Sequence, residues 1–296
     1  MRGTEADAEA LRGGPPRRRA RRLRHELLIR ARVASGTYRV LPDFVVVGAM
    51  KAGSTTLFDL IGQHPRVRTA TKEVRYFDLY HRRSLRWYSA HLPPGGRAAR
   101  DWLTGEATPS YLYDERVPER VAAALPGVKA IALVRHPIDR TYSHYQHNRA
   151  NGFETLSFDE ALAAEPARLA HYRDGYERGE RQATARFNLF SYVRRSMYAD
   201  QIARWQEALG AQQLLVVRSE DLFADPYPTI ANVFGFLGLD DARINATAKN
   251  TRDYAPLGGT QRALLAQTFG PDVARLESML GRTLGWDLPT DLRSGA

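Results

Sequence analysis

Three groups of residues have the types and spacing to handle a charged substrate, and the first lies in the run Phe44 to Pro65, FVVVGAMKAGSTTLFDLIGQHP. Its Gly48-x-x-x-x-Gly53 spacing matches the frame of a Walker A loop, but Ser54 stands where that loop's lysine belongs and Lys51 lies inside the turn. Backbone N–H groups in a tight loop that opens a helix form an anion cradle, reinforced by the helix dipole and by the hydroxyls of Ser54, Thr55 and Thr56. Gly53 lets the backbone come close to the anion. With the lysine moved into the turn, a nucleotide triphosphate and its magnesium ion are a poorer fit. Only four of the 43 basic residues are lysines: Lys51, Lys72, Lys129 and Lys249. Where any positive charge suffices the chain uses arginine, so a lysine at position 51 points to a single-point contact with one bridging or developing oxygen.

The second group is TKEVRYFDLY, residues 71–80. A carboxylate such as Glu73, placed beside an acceptor hydroxyl, can take its proton, and the neighbouring Lys72 and Arg75 can hold it ionised. The alternative is a solvated charged turn with Tyr76 and Phe77 in the core. The third group is IALVRHPIDRTYSHYQHNR, residues 131–149. Arg135 would emerge at the carboxyl end of a buried strand, where open α/β sheets bind ligands, with Ser143 two helical turns further on. An arginine fork and a hydroxyl converging there suit a phosphate monoester. The competing reading is a surface pair of Arg135 with Asp139 and a helix-borne serine.

The elements that must position these groups read as strand, loop, helix repeated. FVVVGAM is a buried-strand run, and Leu57, Leu60 and Ile61 give Ser54–Gln63 a helical spacing. VPERVAAALP predicts a helix, Val128–Val134 a buried strand, IDRTYSHYQHNRA a helix, YADQIARWQEAL an amphipathic helix and QQLLVVRSEDL a third strand. Residues 151–185 carry Gly152, Gly175 and Gly179 and predict an irregular insertion around a helix at SFDEALAAEPARLA. Two C-terminal helices follow, with Leu264, Leu265, Phe269, Val273, Leu276 and Leu280 as core candidates in the second. Strands separated by helices favour a parallel sheet.

Composition sets the outer bounds. A chain of 296 residues with 43% hydrophobic content can bury one large α/β core. It has no cysteine, which excludes disulfides, thiolate metal sites and a cysteine nucleophile. No apolar run approaches the roughly 20 residues that cross a bilayer, and the N-terminus lacks a secretory leader pattern, so the expected location is cytoplasmic. The net charge of +10 calls for acidic partners. Part of it is local: RGGPPRRRARRLRHELLIRAR, residues 12–32, holds nine arginines. This segment reads as a mobile basic tail continuing into a short surface helix, or as an arm for a membrane surface or a polyanion. No nucleic-acid reading module accompanies it, so no nucleic-acid partner is expected. The bias to alanine and to arginine over lysine suggests a GC-rich bacterial coding sequence.

Taken together the three groups resemble the sulfotransferases that use 3′-phosphoadenosine 5′-phosphosulfate (PAPS). KAGSTTL is similar to their 5′-phosphosulfate loop, whose lysine lies inside the turn, and VRHPIDRTYSHY to their 3′-phosphate motif, with Arg135 and Ser143 eight apart. KEVRYFD resembles the catalytic segment of the heparan sulfate branch, and WYSAHLP, GEATPSYLY, MYADQIARW and FLGL follow in that branch's order. The resemblance runs from about Phe44 to Trp286.

It implies a P-loop-like three-layer α/β fold, with a central parallel sheet flanked by helices, over residues 37–296 behind a basic segment 1–36. It implies PAPS as sulfuryl donor, with the desulfated bisphosphate as product, and no required metal. Lys51 would meet the 5′-phosphate and the bridging oxygen, Ala52 to Thr56 would hold the phosphosulfate, and Arg135 and Ser143 the 3′-phosphate. Glu73 would be the base, with Lys72 and Arg75 beside it, and Tyr198 would line the cofactor wall. The implied acceptor is a hydroxyl, or less readily an amine, of a carbohydrate, glycolipid or small metabolite. Its pocket would be shaped by residues 151–188 and by HRRSLRWYSAH.

Two departures stand out. The heparan sulfate 3-O-sulfotransferases carry a histidine where Arg75 stands. The family's late Lys/Gly-rich cofactor loop is shortened to AKNTRDYAPLGG, leaving Arg252 as the candidate there for the 3′-phosphate. The alternatives are a P-loop kinase, which predicts a lysine directly after Gly53, and a non-catalytic polyanion- or membrane-binding protein led by the arginine-rich arm.

Overall fold

The computed structural model describes residues 16–36, 39–70, 73–95, 101–246 and 255–288, with side chains of the first segment described from Arg24 onward. Five parallel strands form one sheet in the order β2-β3-β1-β4-β5: β1 Phe44–Gly48, β2 Val67–Thr69, β3 Leu103–Ala107, β4 Lys129–Val134 and β5 Leu214–Arg218. Every residue of β1 is buried, as expected for a central strand covered by helices on both faces. The chain leaves β1 to build β2 and β3 on one side, then crosses to β4 and β5 on the other. The reversal of strand order therefore falls between β1 and β4, and a crevice forms beyond their carboxyl ends.

The helices anticipated from hydrophobic spacing are present as Ser54–Ile61, Val117–Ala124, Pro137–Ala150, Tyr198–Leu209, Pro226–Leu237 and Gly259–Leu280. Two expectations are corrected. Residues 151–185 are largely helical: Phe158–Glu177 begins with a capping box between Ser157 and Glu160, and Arg181–Phe190 packs against it. The strand anticipated as third is the fifth, because β2 and β3 were not foreseen. VRT is only three residues long, and LTGEA carries Gly, Glu and Ala, which have weak β preference, so the sheet rather than local propensity makes them strands.

One core candidate also moves to the surface. In the helix Gly259–Leu280, Leu265, Phe269, Val273 and Leu276 form a stripe at spacings of three and four residues and are buried, whereas Leu264, one residue off that stripe, is 64% exposed. At the N-terminal end, the basic segment is helical from Pro16 to Ser35. Ile29 is buried, and Arg32 Nη1 donates to the Ala90 carbonyl at 3.1 Å, which seats the helix on the segment 85–92. No helix among the described residues is long and apolar enough to cross a membrane.

Candidate active site

Three chain segments meet at the carboxyl ends of β3, β1 and β4. The loop after β1 is held by its carbonyls. Arg135 Nη1, from the residue that follows β4, donates to the Lys51 carbonyl at 3.0 Å, and Ser219 Oγ donates to the Ala52 carbonyl at 2.8 Å. A trans peptide points its N–H opposite to its C=O. With the Ala52 carbonyl turned into the protein, the Gly53 N–H faces the other way, beside the first turn of the helix that opens at Ser54.

Two glycines make this geometry attainable. Gly48 has φ 156, and a Cβ there would sit 2.7 Å from Leu112 Cβ and 2.9 Å from the Pro109 carbonyl oxygen. Gly53 has φ 95, and a Cβ would meet the Phe223 ring at 2.9 Å. Lys51 itself has φ 71, an uncommon conformation for a residue with a side chain. Ala52, Ser54 and Thr56 are buried, while Lys51, Gly53 and Thr55 are half-buried.

The β4 exit is locked by a second set of bonds. Tyr198 OH donates to the Arg135 carbonyl at 3.0 Å, and the His136 N–H donates to Glu220 Oε1 at 2.7 Å. Tyr198 is placed by the carboxylate of Asp272, which accepts from the Tyr198 N–H at 2.6 Å and the Ala199 N–H at 3.2 Å and so caps the helix Tyr198–Leu209. Burial pushes the Asp272 carboxyl up to about 6 against these hydrogen bonds. Asp139 pairs with Arg262 Nη1 at 2.8 Å, so the alternative Arg135–Asp139 surface pair does not form. Ser143 is buried on the helix that opens after Arg135.

Between β3 and these loops lies the segment of Glu73. Its N–H donates to the Ala107 carbonyl at 2.8 Å and the Arg75 N–H to Thr108 Oγ1 at 3.3 Å, so the end of β3 fixes the backbone of both residues. Both are left-handed, with φ 59 and 56, and Glu73 is exposed. Arg75 spends its fork on Asp78 Oδ2, at 3.0 Å from Nε and 2.5 Å from Nη2, rather than on Glu73. Burial alone would lower the Arg75 guanidinium, but the charge and hydrogen bonds of Asp78, with a further contribution from Glu73, raise it. Ser110 Oγ completes the Asp78 cage at 2.7 Å.

Sequence reasoning missed Glu106, which supports this segment from below. It is fully buried and accepts from Tyr88 OH and Thr108 Oγ1, both at 2.9 Å. Burial raises its carboxyl to about 7 in spite of those hydrogen bonds. The segment HRRSLRWYSAH therefore reaches the site through buried Tyr88, while Arg82 Nη2 ties it to the Arg178 carbonyl in the 151–188 region at 2.9 Å. Lys72 and Arg252 lie outside the described residues. The remaining expected residues divide into the joined group Lys51 to Thr56 with Arg135 and Tyr198, the helix-borne Ser143, and the adjacent segment of Glu73 and Arg75.

The arrangement can hold an extended anion. The N-terminus of the helix that opens at Ser54 and the Arg135 guanidinium meet at the crevice, and the backbone around Gly53 leaves room for a close approach. The donor set suits a nucleotide bearing phosphate or sulfate at both ends. Among the described residues no group of three His, Asp or Glu side chains could hold a metal ion.

Comparison with known proteins identifies the family. The sequence profile of the family described as "Sulfotransferase domain" matches residues 41–253. The human bifunctional heparan sulfate N-deacetylase/N-sulfotransferase 3 is 27% identical over 288 residues, covering 86% of this chain and 31% of its own length. The human heparan sulfate glucosamine 3-O-sulfotransferase 6 is 31% identical over 201 residues, covering 68% of this chain and 53% of its own length. The chain thus spans about a third to a half of the length of these relatives. The crystal structure of a sulfotransferase from Alicyclobacillus acidocaldarius superposes with a TM-score of 0.68 at 27% identity, covering 83% of this chain and 98% of that one. With the family profile matching well over half of its residues, the chain belongs to the sulfotransferase domain family.

Proposed function

We propose that this protein transfers a sulfuryl group from PAPS to a hydroxyl, or less readily an amine, of a carbohydrate, glycolipid or small-metabolite acceptor. The observation that carries this reading is the hydrogen bond from Arg135 to the Lys51 carbonyl, because it joins the loop after β1 to the exit of β4. The residues for the two ends of a doubly anionic nucleotide thereby become one unit.

In this reading the loop from Ala52 to Thr56 holds the 5′ end, while Arg135 and Ser143 hold the 3′-phosphate and Tyr198 backs the Arg135 turn. Bound there, PAPS supplies a sulfuryl group on an activated phosphosulfate linkage. Glu73 takes the acceptor's proton as the new oxygen–sulfur bond forms. The electron pair of the breaking bond stays on the departing phosphate oxygen, where Lys51 meets the charge. Positioning and electrostatics make up most of the catalysis, as in phosphoryl transfer. Arg75, committed to Asp78, acts by holding the backbone of the Glu73 segment.

The test is incubation of the purified protein with PAPS and a panel of hydroxyl and amine acceptors in the presence of a chelator, following release of the desulfated bisphosphate. Turnover with PAPS and none with ATP is expected. Turnover with ATP, or no binding of either nucleotide form, overturns the reading.

A further inference from the structure

The cluster least accounted for by these roles is a set of buried donors behind Met50. Arg195 is 3% exposed and lies with its guanidinium 4.9 Å from the centre of the Tyr113 ring. Its Nη1 reaches Met50 Sδ at 3.3 Å and its Nη2 donates to Asn188 Oδ1 at 3.2 Å. No carboxylate among the described residues pairs with it, and its Nε has no hydrogen-bond partner there. The same holds for Asn188 Nδ2, Arg140 Nη1 and both ring nitrogens of His144.

Such an arrangement is costly. A buried guanidinium without a counter-ion loses hydration that a thioether and an amide oxygen only partly replace. Burial, followed by repulsion from Arg140, lowers the Arg195 guanidinium to about 9, and Arg75 and Asp78 also act on it. His144 is likewise lowered, by burial and then by Arg140, Arg195, His147 and Lys51. Arg195 thus touches the residue that precedes Lys51 and feels the charges of the segment that carries Glu73. It lies behind the donor-side loop, in contact with Met50.

Resting on the proposed sulfuryl transfer, we propose that Arg195, oriented by Asn188, binds the oxygens of the sulfuryl group itself. The group is a sulfo-anion, and its charge supplies the counter-ion that the protein does not. The nucleotide's phosphates are served by other residues, Lys51 with the helix amides at one end and Arg135 with Ser143 at the other. Removing Arg195 should therefore distinguish the sulfated nucleotide from the desulfated one.

The experiment is calorimetric titration of wild type and Arg195→Ala with PAPS and with adenosine 3′,5′-bisphosphate. The variant should bind PAPS about tenfold more weakly or worse, while the bisphosphate changes by less than about twofold and reports an intact fold. Arg195→Lys keeps the charge without the fork and should lose about threefold or more of the preference for the sulfated form. It carries the comparison if the alanine variant does not fold. Equal losses for both nucleotides, or no loss for either, overturn the assignment. So does a variant defect confined to the acceptor's KM. Wild-type protein that binds neither nucleotide would instead overturn the sulfuryl-transfer reading on which the assignment rests.

Discussion

Arg135 Nη1 donates to the backbone carbonyl of Lys51 at 3.0 Å across two neighbouring strand ends. The guanidinium is both a local brace and a candidate ligand group, since its fork retains donors beyond the one used on the loop. Arg135→Ala should weaken binding of adenosine 3′,5′-bisphosphate about tenfold or more, measured by calorimetry. Arg135→Lys should recover only a small part, because one ammonium cannot bridge a carbonyl and a phosphate in a fixed plane. Full recovery by lysine would mean that charge alone matters.

Glu73 and Lys51 should separate chemistry from binding. Glu73→Gln is expected to lower kcat about a hundredfold or more and to leave nucleotide affinity within about twofold, since the exposed carboxylate serves the acceptor. Lys51→Ala should depress both kcat and affinity for the nucleotide. Steady-state kinetics with direct binding measurements decide the split, and wild-type turnover in Glu73→Gln removes that residue as the base.

Glu106 gives a pH signature. Its folded carboxyl is raised to about 7 by burial, above the ordinary carboxylate value of 4.5. Between those values the folded chain binds more protons at this site than the unfolded chain, so its contribution to stability falls as pH rises through the window and levels off above it. Glu106→Gln removes the dependence and keeps one acceptor for Tyr88 or Thr108. The stability of the variant relative to wild type should therefore be greater at pH 8 than at pH 5, by up to about 3 kcal/mol. Asp272, raised to about 6, titrates in the same direction in both proteins and cancels in the difference. A difference independent of pH in denaturant titrations would contradict this.

The arm also divides in two. Deleting residues 1–23 removes most of its arginines but keeps the Ile29 and Arg32 contacts, and should leave turnover of a small acceptor and the melting temperature unchanged. Deleting residues 1–36 strips the cover from the segment 85–92 and should lower Tm by about 5 °C. Equal Tm values for the two truncations would show that the helix contributes nothing to the fold.

Much of this molecule could be read before its structure was known. The β1 run, Gly48, Gly53 and Lys51 stood out because a buried strand, a left-handed turn and an in-turn ammonium each demand particular residue types within a few positions. The helices Tyr198–Leu209 and Gly259–Leu280 followed from their apolar spacing, although Leu264 sits beside its stripe rather than in it. The strand LTGEA did not, because its glycine and buried glutamate are tolerated only inside a sheet whose neighbours come from elsewhere in the chain. In residues 151–185 the helix at SFDEALAAEPARLA was legible, but glycine and polar content masked its continuation to Glu177 and the helix Arg181–Phe190 that packs on it.

By itself the sequence determined the local chemistry: which loop can cradle an anion, which residue follows a buried strand, and which carboxylate lies beside basic and aromatic neighbours. Those are short-range properties, fixed by backbone preference and side-chain type. Tertiary structure decided the partnerships. Arg135 meets the Lys51 carbonyl and not Asp139, Arg75 goes to Asp78, Asp272 caps the helix of Tyr198, and Arg195 is buried behind Met50. Such choices depend on which groups the sheet order brings within reach and on how few carboxylates are buried with them, and neither is encoded in any one stretch of chain.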